Sequence, residues 1–369
     1  MIPARAAAGM GTLLAVALAA AGCGDAHPIE SRAIVLAVGA DAGRGGELVW
    51  TFIFPNVTAS ASSITNLTPA TQVYSTHVRA ADFASAVEAV QDRLSRQPYL
   101  GDLQVLVLGL SLPAQRARAV VADLQQQALV PSNFLVAASP SPTGHLLTLP
   151  TAQEIVPRYF LTTFLACHWC RAFDWRMPAW EWWSRSESPG AAPVAPVLVA
   201  EDGDVVNTGV AVYPSAGPVL VMPPDAGAGL AYLTSRVTRD SFSFSSEGTT
   251  YTVTRVTART RCSCRLTGDG LVADVAVRVH GQLAAMVSEN STAAAVRARM
   301  LVSRYVLERV LAALAWANAH RVDPADLTEK AILRAPRLTY ALAPGSEYFR
   351  PIAARVRVAT VVETAGISR

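Results

Sequence analysis

The sequence predicts an α+β protein with three mixed α/β domains that follow a lipoprotein signal peptide. Apolar runs of strand length alternate with helical patterns between residues 72 and 138, which is typical of an α/β layer structure. Two long alternating segments then precede the longest helical pattern, 288–320, and a final strand follows that helix. The N-terminus carries an export signal ahead of all these elements.

Residues 1–22 are predicted to be a signal peptide. Arg5 supplies a positive charge, residues 10–21 form a short apolar core, and small residues stand directly before Cys23. The core is too short to span a bilayer of about 30 Å, which needs roughly 20 apolar residues. The apolar core is therefore not expected to anchor the chain. Cys23 is instead the predicted attachment site of diacylglycerol and a further acyl chain, and two or more chains are enough for stable anchoring. The alternative is an ordinary signal peptide in which Cys23 is incidental.

Residues 23–186 are interpreted as an N-terminal α/β domain. Apart from Gln104, the run 103–110 is apolar, which predicts a central strand buried on both faces. Asp82 is the expected N-cap of the first helix. The other strands are expected at 33–39, 48–54, 71–78 and 134–138, and the helices at 82–96, 113–129 and 151–165.

A proline-rich segment, 187–196, is interpreted as a linker. It is followed by a small middle α/β domain, 197–238, with a hairpin over 197–213, a strand at 219–222 and a helix that Asp225 caps. The C-terminal domain, 239–369, is expected to pack the long helix on a sheet of strands at 242–265, 271–282 and 355–364. A second helix is expected to begin at Asp323, with Pro324 in its first position.

Composition excludes several classes of function. A formal charge of +3 over 369 residues, without a basic stripe in the sequence, is no footprint of nucleic-acid binding. The six histidines have no metal-binding or metalloprotease spacing, and the chain has no P-loop, G-x-G-x-x-G or G-x-S-x-G motif. Apart from the lipid on Cys23, no cofactor is expected, and no enzyme activity is predicted.

The five cysteines carry the clearest candidate chemistry. With Cys23 lipidated, Cys167, Cys170, Cys262 and Cys264 remain as an even set. An exported location permits disulfides, and four cysteines allow three pairings. The pairs could join 167–170 to 262–264 or close two local loops. A zinc site, in which His168 could replace one thiolate, and a redox dithiol are the alternatives.

Five of the seven tryptophans cluster next to Cys167 and Cys170. They are Trp169, Trp175, Trp180, Trp182 and Trp183. Such rings can cover a domain core, contact a protein or membrane, or line a small-ligand site. Trp175, Trp180, Trp182 and Trp183 are the candidate contact surface, and their positions do not fall on a single helical face.

The order of motifs resembles the Ger(x)C family, the C subunits of nutrient germinant receptors in spore-forming bacteria. The resemblance runs over nearly the whole mature chain. It is carried by Gly22-Cys23 with Asp25, Ile29-Glu30, the segment 33–41, the strand 103–109, the strand 208–213, the helix start 225–233, Glu347-Tyr348-Phe349 and the segment 356–366. It implies a three-domain, non-enzymatic lipoprotein on the outer face of the inner spore membrane, which assembles with A- and B-type membrane subunits. Direct binding of the nutrient is left open.

Two other functions are compatible with the residues. A solute-binding lipoprotein of a transporter would have two lobes around a cleft lined by residues 180–183. An exported thiol oxidoreductase would expose Cys167 with a depressed pKa.

Overall fold

The computed structural model describes residues 31–55, 73–149, 157–166, 175–188, 190–246, 249–268, 270–284, 291–335 and 349–364. The short strand β1 (Arg32–Ile34) pairs in parallel with β5 (Gln97–Tyr99). An eight-stranded sheet has the spatial order β10-β9-β8-β7-β6-β2-β3-β4. Its strands are β2 (Ala37–Ala42), β3 (Leu48–Pro55), β4 (Val73–Ala80), β6 (Val105–Gly109), β7 (Leu135–Ser139), β8 (Val194–Glu201), β9 (Asp204–Val212) and β10 (Leu220–Met222).

Helices cover both faces of this sheet. The helices of the chain are α1 (Phe83–Gln91), α2 (Ala114–Gln126), α3 (Thr143–Leu147), α4 (Pro157–Ala166), α5 (Ala179–Glu187), α6 (Pro224–Leu233), α7 (Ser291–His320) and α8 (Leu327–Arg334). Side chains from α1, α2 and α5 share one core with Leu106 and Leu108, whereas those from α3 and α4 share a second core with Val105 and Val107. Because β6 is covered on both sides, all five of its residues are buried.

A four-stranded sheet forms the C-terminal part of the molecule. Its order is β11-β12-β13-β14, and β14 pairs in parallel with β13. The strands are β11 (Asp240–Ser246), β12 (Thr249–Leu266), β13 (Leu271–Leu283) and β14 (Ile352–Thr364). Helix α7 packs on one face, where Ser303 Oγ donates to Thr360 Oγ1 at 2.8 Å and Asn318 forms two hydrogen bonds with the backbone of Ile352.

The predicted α+β class is confirmed by helices packed on mixed sheets. Most predicted elements lie within a few residues of the observed ones, including the Asp82 N-cap, whose side chain accepts a hydrogen bond from Ser85 N at 2.8 Å. The segment predicted as a single strand at 242–265 is instead the antiparallel pair β11 and β12. Helix α3 and strand β5 were not predicted, and the strand predicted at 33–39 spans most of β1 and the start of β2.

The middle of the chain differs from the sequence expectation. Strands β8, β9 and β10 extend the eight-stranded sheet, since β8 pairs with β7 at Ala138 and Val197, and they do not form a small sheet of their own. The expected linker 187–196 contains the start of β8, and Ala192, Val194 and Ala195 are buried. Hairpin periodicity predicts a turn but does not identify the sheet that the hairpin joins, which explains the difference.

Helix α8 also begins later than expected. It starts at Leu327, and its N-cap residue, Asp326, has a left-handed backbone with φ of 56°. Asp323 still provides the capping interaction, because its carboxylate accepts hydrogen bonds from Thr328 N at 2.6 Å and Ala325 N at 3.2 Å. Among the residues that the structure describes, no helix is long and apolar enough to cross a membrane.

Candidate docking site

Helix α5 carries three of the four tryptophans of the candidate contact surface, all but Trp175, and is held firmly at its N-terminal end. Ala179 N donates to Phe134 O at 2.8 Å, and Trp180 N donates to Ser132 O at 3.0 Å. These bonds satisfy backbone donors that a helix leaves free in its first turn. The start of α5 is therefore fixed to the segment that leads into β7.

Two of the predicted contact residues belong to the core. Trp182 is fully buried, and its ring meets Tyr213 edge-on with centroids 5.2 Å apart. Trp175 is also buried, at 4% exposure. The assignment of these two rings to a contact surface was therefore wrong: the α5 register turns Trp182 inward against the sheet, where its area stabilises the fold.

The other two tryptophans face solvent. Trp180 and Trp183 are 53% and 42% exposed, and a spacing of three residues places them on the same side of α5. We call these two residues the tryptophan pair. Leu129, which is 65% exposed, lies in the loop whose Ser132 binds α5. Sequence reasoning missed Leu129, because it placed this residue in a helix that in fact ends at Gln126.

Polar contacts on α5 tie it to later parts of the chain. The buried Arg185 forms an ion pair with Asp326 and donates to Pro324 O at 2.8 Å. Glu181 forms an ion pair with Arg236. A buried guanidinium is stable only when it is paired and hydrogen-bonded in this way. The helix that presents the tryptophan pair is thus fixed on several sides.

Cys262 and Cys264 lie on the same face of β12, with their sulfur atoms 3.0 Å apart. Neither forms a disulfide with a described residue, and Cys264 is buried. The hydrogen bond from Cys264 lowers the pKa of Cys262, although burial acts in the opposite direction. The same bond and burial raise the pKa of Cys264. Cys262 is accordingly the thiol of the pair that ionises first.

Three predicted site residues, Cys23, Cys167 and Cys170, lie outside the described residues. The pairing or metal binding of the four cysteines therefore stays a prediction. Within the described ranges, no group of three or more histidine, cysteine, aspartate or glutamate side chains could hold a metal ion.

In the described part of the chain, Trp180, Trp182 and Trp183 do not line a ligand cleft between two lobes. Trp182 fills the core, and the tryptophan pair projects from an exposed helix face. An open pocket of about 470 Å³ lies elsewhere, between α7 and β14. It is lined by Arg299, Met300, Ser303, Val358, Ala359 and Thr360. This arrangement differs from the cleft expected for a solute-binding lipoprotein.

Comparisons with known proteins agree with this description. Residues 25–200 match the family model of the spore germination protein N-terminal domain. The matched segment ends within β8, which agrees with the membership of β8 in the N-terminal sheet. The fold is similar to the crystal structure of the GerBC protein, with a TM-score of 0.57 and 11% sequence identity over 89% of this chain and 97% of that chain. No curated protein sequence matches the chain.

Proposed function

Because the chain belongs to the Ger(x)C family of spore germination proteins, we propose that it is a lipid-anchored, non-enzymatic subunit of a nutrient germinant receptor. In this proposal it is required for nutrient-triggered germination and acts by docking to A- and B-type membrane subunits. It does not need to bind the nutrient itself. Its location is the outer face of the inner spore membrane, where lipid on Cys23 holds it.

The tryptophan pair is the observation that carries the docking proposal. Tryptophan is enriched among the residues that dominate binding energy at protein interfaces, and buried rings of this size contribute large contact areas. Trp180 and Trp183 leave much of this area in water. A soluble surface has little reason to expose two such rings side by side unless a partner covers them.

The rigidity of α5 supports the same proposal. Backbone bonds at Ala179 and Trp180 and the ion pair of Arg185 hold the helix before any partner binds. Binding then loses less conformational freedom than it would if a mobile segment had to be ordered. A lipid anchor on Cys23 adds to this effect, because it raises the effective concentration of the protein beside its membrane partners.

Replacement of the tryptophan pair tests the docking proposal. The full chain is tagged, co-expressed with the A- and B-type subunits and recovered from detergent-solubilised membranes. For Trp180→Ser with Trp183→Ser we expect the co-purified subunits to fall at least about tenfold, since an interface tryptophan contributes on the order of 2 kcal/mol or more.

The matched control replaces two exposed apolar residues on α7, with Val296→Ser and Met300→Ser. This variant should retain the recovery of the wild-type chain. Equal recovery of the membrane subunits with both double variants would show that the tryptophan pair is not the docking surface.

Lipid attachment is tested separately with Cys23→Ala. Cells that produce the wild-type chain are labelled with radioactive palmitate, and we expect label on the wild-type protein and on Cys262→Ala but not on Cys23→Ala. The reason is that only the thiol at the cleavage site would carry lipid. Label that persists on Cys23→Ala, or a wild-type chain that takes up no label, would contradict the anchor.

A further inference from the structure

The four-stranded sheet has one face that α7 does not cover. On β12, β13 and β14, alternate side chains point away from the helix, as the burial pattern of each strand shows. These residues are Thr257, Arg259, Arg261, Ser263, Arg265, Val272, Asp274, Ala276, Arg278, His280, Gln282, Ala353, Arg355, Arg357, Ala359, Val361 and Glu363. We call this set the outer sheet face.

Positive charge is concentrated on the outer sheet face. It carries six arginines, all exposed, namely Arg259, Arg261, Arg265, Arg278, Arg355 and Arg357. Only two acidic side chains, Asp274 and Glu363, share it. The whole chain has 31 basic and 28 acidic residues, so the face is far more basic than the average of the sequence. A surface that serves solubility alone mixes the two signs.

The six arginines of the outer sheet face have no polar partner in the part of the chain that the structure describes. None of the six has an ion pair or a side-chain hydrogen bond with the described residues. In addition, Arg259 lies directly opposite Arg278 in the pairing of β12 with β13. Like charges at such positions destabilise a sheet. The arrangement therefore costs some stability within the chain and leaves the guanidinium groups available to an external anion.

The chemistry of the face selects among polyanionic partners. Protein interfaces concentrate aromatic residues at their centre, and proteins that bind single-stranded nucleic acid stack bases on aromatic rings. The outer sheet face has no phenylalanine, tyrosine or tryptophan, and His280 is its single ring side chain. It also offers neither a helix nor a protruding ribbon that could enter a DNA groove. A broad, shallow array of guanidinium groups instead matches a planar array of phosphates, which arginine binds well.

We propose that the outer sheet face binds the surface of a membrane rich in anionic phospholipid. The number of arginines on this face suits such a contact, since four to eight clustered basic residues are typical of segments that bind acidic lipids. Exposed apolar side chains on the same face, such as Ala359 and Val361, allow a close approach to the headgroups. This contact is separate from lipid on Cys23 and would orient the C-terminal part of the protein on the membrane.

The test uses the mature chain, residues 23–369, with Cys23→Ser so that no lipid is attached. Binding is measured by co-sedimentation with vesicles of phosphatidylcholine that contain about one third phosphatidylglycerol, a typical strongly anionic surface. We expect binding at about 0.1 M salt and its loss at about 1 M salt, where the Debye length falls to roughly 3 Å. Pure phosphatidylcholine vesicles should not bind the protein.

One arginine on each strand is then replaced, in the variant Arg261→Gln, Arg278→Gln, Arg357→Gln. Affinity for the anionic vesicles should fall by at least tenfold and by up to about 100-fold, because each arginine near the surface contributes about 1 kcal/mol. The control variant, Arg44→Gln, Arg79→Gln, Arg299→Gln, removes the same charge from exposed sites off this face and should bind as before. Thermal melting of both variants checks that they are folded.

Three results would overturn the proposal. The first is equal loss of vesicle binding in the two triple variants, which would mean that only net charge matters. The second is vesicle binding that survives in the outer-face variant. The third is a variant that still binds vesicles but no longer co-purifies with the receptor membrane subunits, which would make this face a protein interface. The vesicle assay uses protein with Cys23→Ser, so its outcome does not depend on lipid attachment. A failure of the lipid anchor would appear in the palmitate labelling, and a failure of the outer sheet face would appear in the vesicle assay.

Discussion

The two sheets of the molecule differ in how they meet solvent. In the eight-stranded sheet, helices lie on both faces, and β6 and β7 are buried at every residue. In the four-stranded sheet, α7 covers one face only, so β13 alternates between buried and partly or fully exposed residues. A sheet covered on both sides has its central side chains buried in the core, whereas a sheet covered on one side has a second face that is open to solvent and free for contacts.

This difference assigns different roles to different residues: the buried ones stabilise the fold, and the exposed ones are the candidates for binding. The two candidate recognition features lie on solvent-facing surfaces: the tryptophan pair is on the exposed side of helix α5, and the outer sheet face is the side of the four-stranded sheet that α7 leaves open. The central strands of the larger sheet contribute no exposed side chain to either feature. Substitutions in the larger sheet should therefore act on folding, and those on the open surfaces should act on binding.

The largest effect is expected from Leu106→Ala in β6. Leu106 is fully buried in the core that β6 shares with α1, α2 and α5, and its truncation leaves a cavity. The free energy of unfolding should fall by about 2–5 kcal/mol, measured by urea denaturation followed by circular dichroism. The matched change in the open sheet is Val361→Ala, which removes apolar atoms from a side chain that is 46% exposed on β14. It should cost less than about 0.5 kcal/mol. Similar losses for the two variants would contradict the comparison of the sheets.

A smaller effect is expected from Gly229→Ala, at the junction of the two regions. Helix α6 packs closely on α7, and a Cβ atom at Gly229 would lie 1.9 Å from the carbonyl oxygen of Arg309. That oxygen belongs to the backbone, so the helices must move apart, at a cost of about 1–3 kcal/mol. Differential scanning calorimetry should show a lower melting temperature.

Gly268→Ala is the control for this change, because a Cβ atom there meets no atom within 4 Å. Its melting temperature should match that of the wild-type protein. If Gly229→Ala melts like the control, the close approach of α6 to α7 does not limit the stability of the junction.

Much of the fold was predictable from local patterns. The run at 103–110, apolar except for Gln104, predicted a strand buried on both faces, and β6 has this environment. The hairpin over 197–213 was also predicted, and Asp202 and Gly203 at its turn adopt the positive φ that such turns require. The burial of this strand and the conformation of this turn depend mainly on residues that are close in sequence, and for this reason the local sequence pattern predicts them.

The sites were less predictable, because they depend on long-range pairing. The tryptophans were recognised as a cluster, but only the register of α5 separates the buried Trp182 from the exposed tryptophan pair. The basic face was missed altogether. Arg261 and Arg357 are far apart in sequence and come close only because both flank Ala276 of β13. A charge count along the chain cannot show such clustering.

Germination of spores tests the central proposal most directly. Spores that lack the chain are complemented with the wild-type chain, with Trp180→Ser and Trp183→Ser, or with the α7 control Val296→Ser and Met300→Ser, and equal protein levels are verified by immunoblot. Nutrient is added, and the loss of refractility is followed over time. We expect the tryptophan variant to germinate poorly and the α7 control to germinate like wild type. Wild-type germination with the tryptophan variant would contradict the proposal that this protein acts by docking through Trp180 and Trp183.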